Sequence, residues 1–354
     1  MNRIRISVPS LLAGTVLTAG AFSLMSMQGS GASFIHGDVR EFLSHISMVD
    51  LPDGQGGFNR TVRISGINVQ VVNGLDATNG YPKDPDSLNP MLTEVNGVGN
   101  LIVGYNELGN FNGDDRTGSH NIVVGHGNSY SSFGGLVATH DNTVSAPFSS
   151  VSGGRFNTAT GNFSSVSGGI NNTASGPRSS VSGGSNNAAS APVSSISGGR
   201  GNTATGIYSS VSGGQNNMST GDYSSVSGGR LNTAGARLSS VSGGTSNTAS
   251  GIFSSVSGGF SNTASGDNSS VTGGVQNTAS GDLSAVSGGR ENAADGTWSS
   301  VSGGQTNTAS GIFSSVSGGQ ENTASGARSA VSGGHNRTAP GAHDWVAGSL
   351  WQDN

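Results

Sequence analysis

Three observations predict an all-β fold, a parallel β-roll or β-solenoid of about 17 turns of 14–15 residues with a small N-terminal cap. The first is a recurring unit, S-S-V-S-G-G-x-x-N-T-A-S-G-x-x. From Val151 its valine position returns every fifteen residues, through Val166, Val181, Ile196 and Val211 to Val331 and Val346. The second is composition. Of 354 residues 61 are glycine, 32% are hydrophobic and 10% are charged, so bulky apolar side chains are too sparse for a large conventional core. A stacked coil needs only a thin core along its axis, and strict periodicity supplies one. The third is alternation within each unit. S-S-V-S and T-A-S read as two short strands with Val and Ala inward and the flanking hydroxyls outward.

From the N-terminus, MNRIR supplies a positive region and VPSLLAGTVLTAGAFSLM an apolar one, and Ser30-Gly31-Ala32 offers a small-x-small cleavage site. Residues 1–32 therefore read as a secretory signal. An uncleaved anchor is the competing reading, which the small residues and Pro9 disfavour. Either way the rest of the chain is expected outside the cytoplasm, secreted or on the cell surface, with no membrane-spanning segment once the signal is removed. Residues 33–99 are non-repetitive and read as the N-terminal cap that covers the first open turn. Within them DVREFLSHISMV has helix-like apolar spacing, DGQGG is a turn, and RTVRISGINVQVVNG reads as two strands broken at Gly66. YPKDPDSLNP is a proline-rich loop.

Residues 100–150 form irregular turns. Ile102, Val123 and Val137 are equivalent at spacings of 21 and then 14, the first interval carrying the polar insertion NGDDRTG. Regular fifteen-residue turns fill 151–345, and 346–354 closes the last turn, with Trp345 and Trp351 covering it. Gly153-Gly154 and Gly161 mark the corners. Asn157 recurs at every turn to Asn322 and is interrupted only at Arg337. Asparagine tolerates left-handed corners and can hydrogen-bond to the next turn, so an asparagine ladder is expected.

One Val and one Ala per turn bury little against the entropy of ordering fifteen residues, so something further must contribute. The position two residues after Gly161 holds Phe163, Val193, Tyr208, Tyr223, Leu238, Phe253, Leu283, Trp298 and Phe313, with Arg178, Asn268, Arg328 and His343 in the remaining turns. If strand parity continues back from Val166, this column faces outward as an association stripe. If a bend turns it inward, it is the solenoid's own core. Both readings stay open in the sequence.

The turn S-V-S-G-G-x-x-N-T-A-S-G-x-x-S resembles the head repeat of trimeric autotransporter adhesins, the YadA-like head, with its consensus S-V-A-x-G-x-x-S-x-A-x-G-x-x-S. The likeness spans roughly 100–350 and includes Ser150, Val151, Gly154, Ala159 and Gly161. The spacing of 14 at Val123, Val137 and Val151 matches that family's period, and the later 15 is one residue longer. The resemblance implies a left-handed roll, a homotrimer, and an extracellular surface or matrix ligand. No heptad stalk or C-terminal barrel strands follow the turns, so self-anchoring in an outer membrane is not expected.

Charge and motifs narrow the chemistry. The formal charge is −5, no basic run occurs, and nucleic acid is not an expected partner. The absence of cysteine excludes disulfides, thiolate metal sites and lipoprotein acylation. The serines form no GxSxG elbow, and the Gly-Gly pairs lack both the aspartates of calcium-binding nonapeptides and the lysine of a phosphate loop. His126 and His140 occupy equivalent positions one turn apart, within reach of a shared metal, but read more simply as exposed loop residues. Asp114 and Asp115 in the insertion read the same way. No catalytic, cofactor-binding or metal residue is assigned, and the chain is not expected to be an enzyme. The expected function is that of an exported adhesin-like or structural element. The alternative is an ice- or crystal-binding protein that uses the Thr/Ser ladder, whose array is interrupted by Ala188, Met218 and Ala293.

Overall fold

The computed structural model describes residues 37–348 and 350–352, so the signal reading of 1–32 and the tail residues 353–354 lie outside the described residues. The chain divides into two compact units at residues 69/70, inside the stretch read as a single cap. In the first unit, helix Gly37–Ser44 leads into strand Ile46–Pro52, which pairs antiparallel with Phe58–Ile64 in the register Ile46↔Ile64 to Pro52↔Phe58. Asp53 makes the turn between them, its Oδ1 accepting the N–H groups of Gln55 (2.8 Å) and Gly57 (2.9 Å). These two donors hold the Asp53 carboxyl below its ordinary value. The sequence reading differs at two places. ISMV is strand rather than helix, and the expected second strand after Gly66 does not form among the described residues.

The second unit is the expected parallel β-solenoid of fifteen to seventeen turns. One sheet stacks seventeen parallel strands from Leu101–Val103 to Trp345–Ala347 and ends on the antiparallel strand Leu350–Gln352. A second sheet stacks fifteen, from Ser129–Tyr130 to Thr338–Ala339. Every pairing is in register with the repeat, Val166↔Val181 and Ala174↔Ala189 for example. Residues 70–99 are tied onto the first turns by backbone N–H groups that donate to side chains: Asn96 N to Ser119 Oγ, and Asn73 N to His120 Nε2.

The hydrogen bonds run along the stack. In the turn beginning at Ser165, the N–H groups of Ser165, Ser167, Ile170, Thr173 and Ser175 donate to the following turn at 2.8–3.0 Å. Asn171 and Arg178 donate instead to the preceding turn, at 3.0 and 2.8 Å. Both have left-handed φ, 55° and 58°, which reverses the direction in which the N–H points. Each turn therefore holds both of its neighbours.

Val and Ala fill the interior as expected, but they share it with two polar columns. Asn157 and its equivalents, and the first serine of each S-S-V-S, are also buried. Asn247 shows the pattern. Its Oδ1 accepts Asn262 N (3.0 Å), while its Nδ2 donates to Gly243 O (2.9 Å) and Gly259 O (3.0 Å). Every hydrogen-bonding capacity of the amide that the turn offers is used, which is what allows a polar side chain into the core. At Ser219, which replaces the usual alanine, the buried hydroxyl meets Ser224 Oγ at 2.6 Å. The ladder stops at Arg337, whose N–H still takes Asn322 Oδ1.

The corners differ from the sequence reading. The left-handed residue is not Asn157 but the one before it, Phe156 (φ 59°). At the other corner it is not Gly161 but Phe163 (φ 59°). Of the Gly-Gly pair, Gly154 is left-handed (φ 79°), and a Cβ there would lie 2.1 Å from Gly169 O. The extra residue of the longer turn is also located. Val137 pairs with Val151, yet His140 pairs with Arg155, so the insertion falls between the valine and the left-handed position (Thr139, Gly154). It cuts the strand from five residues, Leu136–His140, to two, Ser150–Val151.

Two expectations follow. Gly168 has open space around its Cβ position, whereas Gly169 has φ 89° and a Cβ position 2.2 Å from Gly184 O. Gly168→Ala will stay within about 1 kcal/mol of wild type and Gly169→Ala will cost more than about 2 kcal/mol, read by denaturant unfolding. Asn247→Ala leaves the buried Asn262 N without its acceptor and takes a donor from Gly243 O, while Gly259 O keeps the N–H of Thr245, and will cost about 2–3 kcal/mol. Hydrogen exchange will show protection lost first in residues 232–262, because each turn touches only its neighbours.

Candidate functional site

The structure places the apolar column on the outside. Phe253 is 52% exposed and Trp298 also 52%; Phe163, Tyr208, Tyr223, Leu238, Leu283 and Phe313 are exposed, and Val193 is half-buried. Strand parity is not the cause, because the strand covers only Ser165–Val166. The column faces out because each member occupies the left-handed corner, with φ between 58° and 61°.

That backbone state is costly for a bulky L-residue, about 1–2 kcal/mol, and is the ordinary province of glycine and asparagine. The other corner supplies an internal comparison. Its left-handed column includes Asn171, Asn186, Gly201, Asn216 and Asn336. The apolar column, under the same constraint, has a single asparagine, Asn268, and no glycine. The backbone therefore does not call for aromatic and branched residues at these positions, and their presence is explained by the use of their side chains.

Successive rings lie on one another. Phe148–Phe163, Tyr208–Tyr223 and Trp298–Phe313 stack with centroids 5.3, 5.0 and 6.1 Å apart and interplanar angles of 13°, 8° and 12°. Their faces cover each other and their edges point to solvent. Sequence reasoning missed Phe148, at the head of this stack, and Ile207, Ile252 and Ile312, which are exposed one residue before Tyr208, Phe253 and Phe313. Together they widen the column into a ridge. The signal that reveals them is the same fifteen-residue frame, read one column to the side. Arg178, Asn268 and Arg328 interrupt the ridge, Arg328 with its guanidinium 5.8 Å from the Phe313 ring centre.

A second apolar area marks the irregular turns. Leu101, Val103, Ile122 and Val124, on the outward face of the first strands, are exposed where regular turns carry serine and glycine. Nearby, the insertion folds on its own carboxylates. Asp114 accepts N–H from Gly109 (3.0 and 2.9 Å to its two oxygens) and Asn110 (3.1 Å), and Asp115 accepts Thr117 N and Oγ1. These aspartates are turn-formers, which supports the simpler of the two readings of the loop. The backbone donors of Gly109 and then Asn110 hold the Asp114 carboxyl below its ordinary value. A carboxyl depressed in the folded state contributes fully above its ordinary pKa and ceases to contribute once pH has fallen through the depressed value. Amide exchange at Gly109 and Asn110 is therefore expected to stay slow through the mildly acidic range and to rise only below it.

The remaining columns are polar. Thr158 and its equivalents lie in register along the second sheet, half-buried, with Thr160-type hydroxyls exposed beside them. No protein-family model matches the chain, and no curated protein matches it.

Proposed function

We propose that this chain is an exported, non-enzymatic, adhesin-like or structural element. In this reading its solenoid associates with copies of itself along the apolar ridge, as a homotrimer, and presents its polar faces to an extracellular surface or matrix. The observation that carries the reading is the ridge itself: exposed aromatic and aliphatic residues kept in a left-handed backbone state through successive turns. Contiguous exposed apolar surface of this kind marks an association site. The homotrimer and the adhesive role rest on the resemblance of the turn to YadA-like heads, and the export on the N-terminal signal pattern.

The in-register Thr column supports a second reading, recognition of an ice or crystal lattice, because it repeats a hydroxyl at a fixed spacing of about 4.8 Å. Ala188, Met218 and Ala293 interrupt it.

Light scattering on the chain from residue 33 separates these readings. The expected result is a trimer, and a monomer at micromolar concentration overturns the self-association. Replacing Tyr208, Tyr223 and Phe253 together with asparagine, which suits the left-handed corner, is expected to keep the circular dichroism of the wild type and weaken association by tenfold or more. Ice-recrystallisation inhibition by a chain that does not bind matrix-coated surfaces would favour the lattice reading.

A further inference from the structure

The two histidines read from the sequence as exposed loop residues are joined in the structure by a buried acid. His126 and His140 are register partners on adjacent turns, their rings stacked with centroids 5.0 Å apart at 15°. Asp141 follows His140 in a left-handed conformation (φ 53°) and is 6% exposed. One donor atom from each of the three residues falls within 4.8 Å of the others.

The carboxylate is oddly placed for a structural residue. At the corresponding left-handed position Glu291 and Glu321 also carry carboxylates, but theirs reach solvent, and no other turn there has a histidine followed by an acid. Asp141 Oδ1 is buried and has no hydrogen-bond partner. Oδ2 lies 2.8 Å from His140 Nδ1, yet that nitrogen makes no hydrogen bond. The buried carboxylate thus has one oxygen without a partner and the other held only by a solvent-facing imidazole, at a cost that burial raises.

The surroundings admit this placement. Gly127, the counterpart of Asp141 one turn earlier, is left-handed, and a Cβ on it would come within 2.2 Å of Asp141 Oδ1. Asn110, two residues before the insertion, donates to Gly127 O (2.7 Å) and Asn142 O (3.1 Å), closing the buried side. The next residue in the histidine column, Arg155, is drawn away, its guanidinium 4.2 Å from the Phe156 ring centre. The imidazoles remain open to solvent.

We propose that His126, His140 and Asp141 bind a divalent first-row transition ion such as Zn²⁺, with at least one coordination position left to solvent. Two imidazoles and a carboxylate suit such an ion and do not suit the oxygen-preferring Ca²⁺ or Mg²⁺. Neutral imidazole nitrogens and Asp141 supply the lone pairs, and the ion neutralises the buried carboxylate. Because the ligands come from adjacent turns, the ion would tie those turns together near the start of the stack, where a solenoid frays most readily.

The test is Zn²⁺ titration of the untagged chain from residue 33 against a chromophoric chelator, with His343→Ala as a control histidine. One Zn²⁺ per chain is expected, displaced by neither Ca²⁺ nor Mg²⁺. Affinity is expected to fall at least tenfold in His126→Ala, His140→Ala and Asp141→Asn and to be unchanged in His343→Ala. Zn²⁺ is also expected to slow amide exchange across residues 122–144 in the wild type only. Equal affinity in wild type and the His126→Ala/His140→Ala double variant, or no binding in either, overturns the site and leaves a plain His–Asp contact. Both histidines have exposed side chains, so that comparison does not depend on Asp141→Asn folding.

Discussion

The solenoid depends on a buried amide that is never short of a partner. Each asparagine of the ladder receives an N–H from the turn above, gives its own N–H to the amide below, and ties two glycine carbonyls. A core of one valine and one alanine per turn is small, and the directional bonds of this third column set where each turn sits on the next. The glycines follow from the asparagine. Gly154 must have no side chain because the carbonyl that the amide reaches, and the amide itself, occupy the space where a Cβ would stand.

The same stacking explains why the chain can carry bulky residues in an unfavourable backbone state. Left-handed corners donate backward while the strands donate forward, so the corner conformation is fixed by bonds to both neighbours. Side-chain identity at the corner is then free of any structural duty. One corner column is polar or glycine except at Phe156 and Leu231, and the other holds aromatics and aliphatics in most turns. The contrast, more than the hydrophobicity alone, is what makes the ridge a functional candidate.

Much of the fold was legible because a period of fifteen, held for about two hundred residues, leaves little freedom in how turns pair. Val151 and Ala159 read directly as inward columns, and the structure places them there, joined by the buried amide of Asn157. The corners were less legible. Glycine and asparagine are the usual left-handed residues, so Gly161 and Asn157 attracted the assignment, while Phe163 and Phe156 actually take that conformation. Propensity names the residues that adopt a state cheaply; hydrogen bonding along the stack decides which residues must adopt it. The first unit misled for a different reason, since the helix-like spacing of 38–49 runs on through ISMV, where pairing with 58–64 makes a strand instead. Of the ion site, the histidine pair was visible as a repeat, but nothing in the sequence marks Asp141 as buried. Its burial depends on a backbone turn and on a glycine one turn away.

The extra residue between Val151 and Gly154 has a consequence for how such a chain can change over generations. With every rung bonded identically above and below, excising or duplicating one whole fifteen-residue unit rejoins like to like and leaves no mismatched seam. The gene can therefore lengthen or shorten by copying slippage without a folding penalty at the join, whereas loss of a single residue elsewhere in a unit displaces the amide from its carbonyls. Molecular length becomes a freely tunable trait, and the ridge scales in step with it.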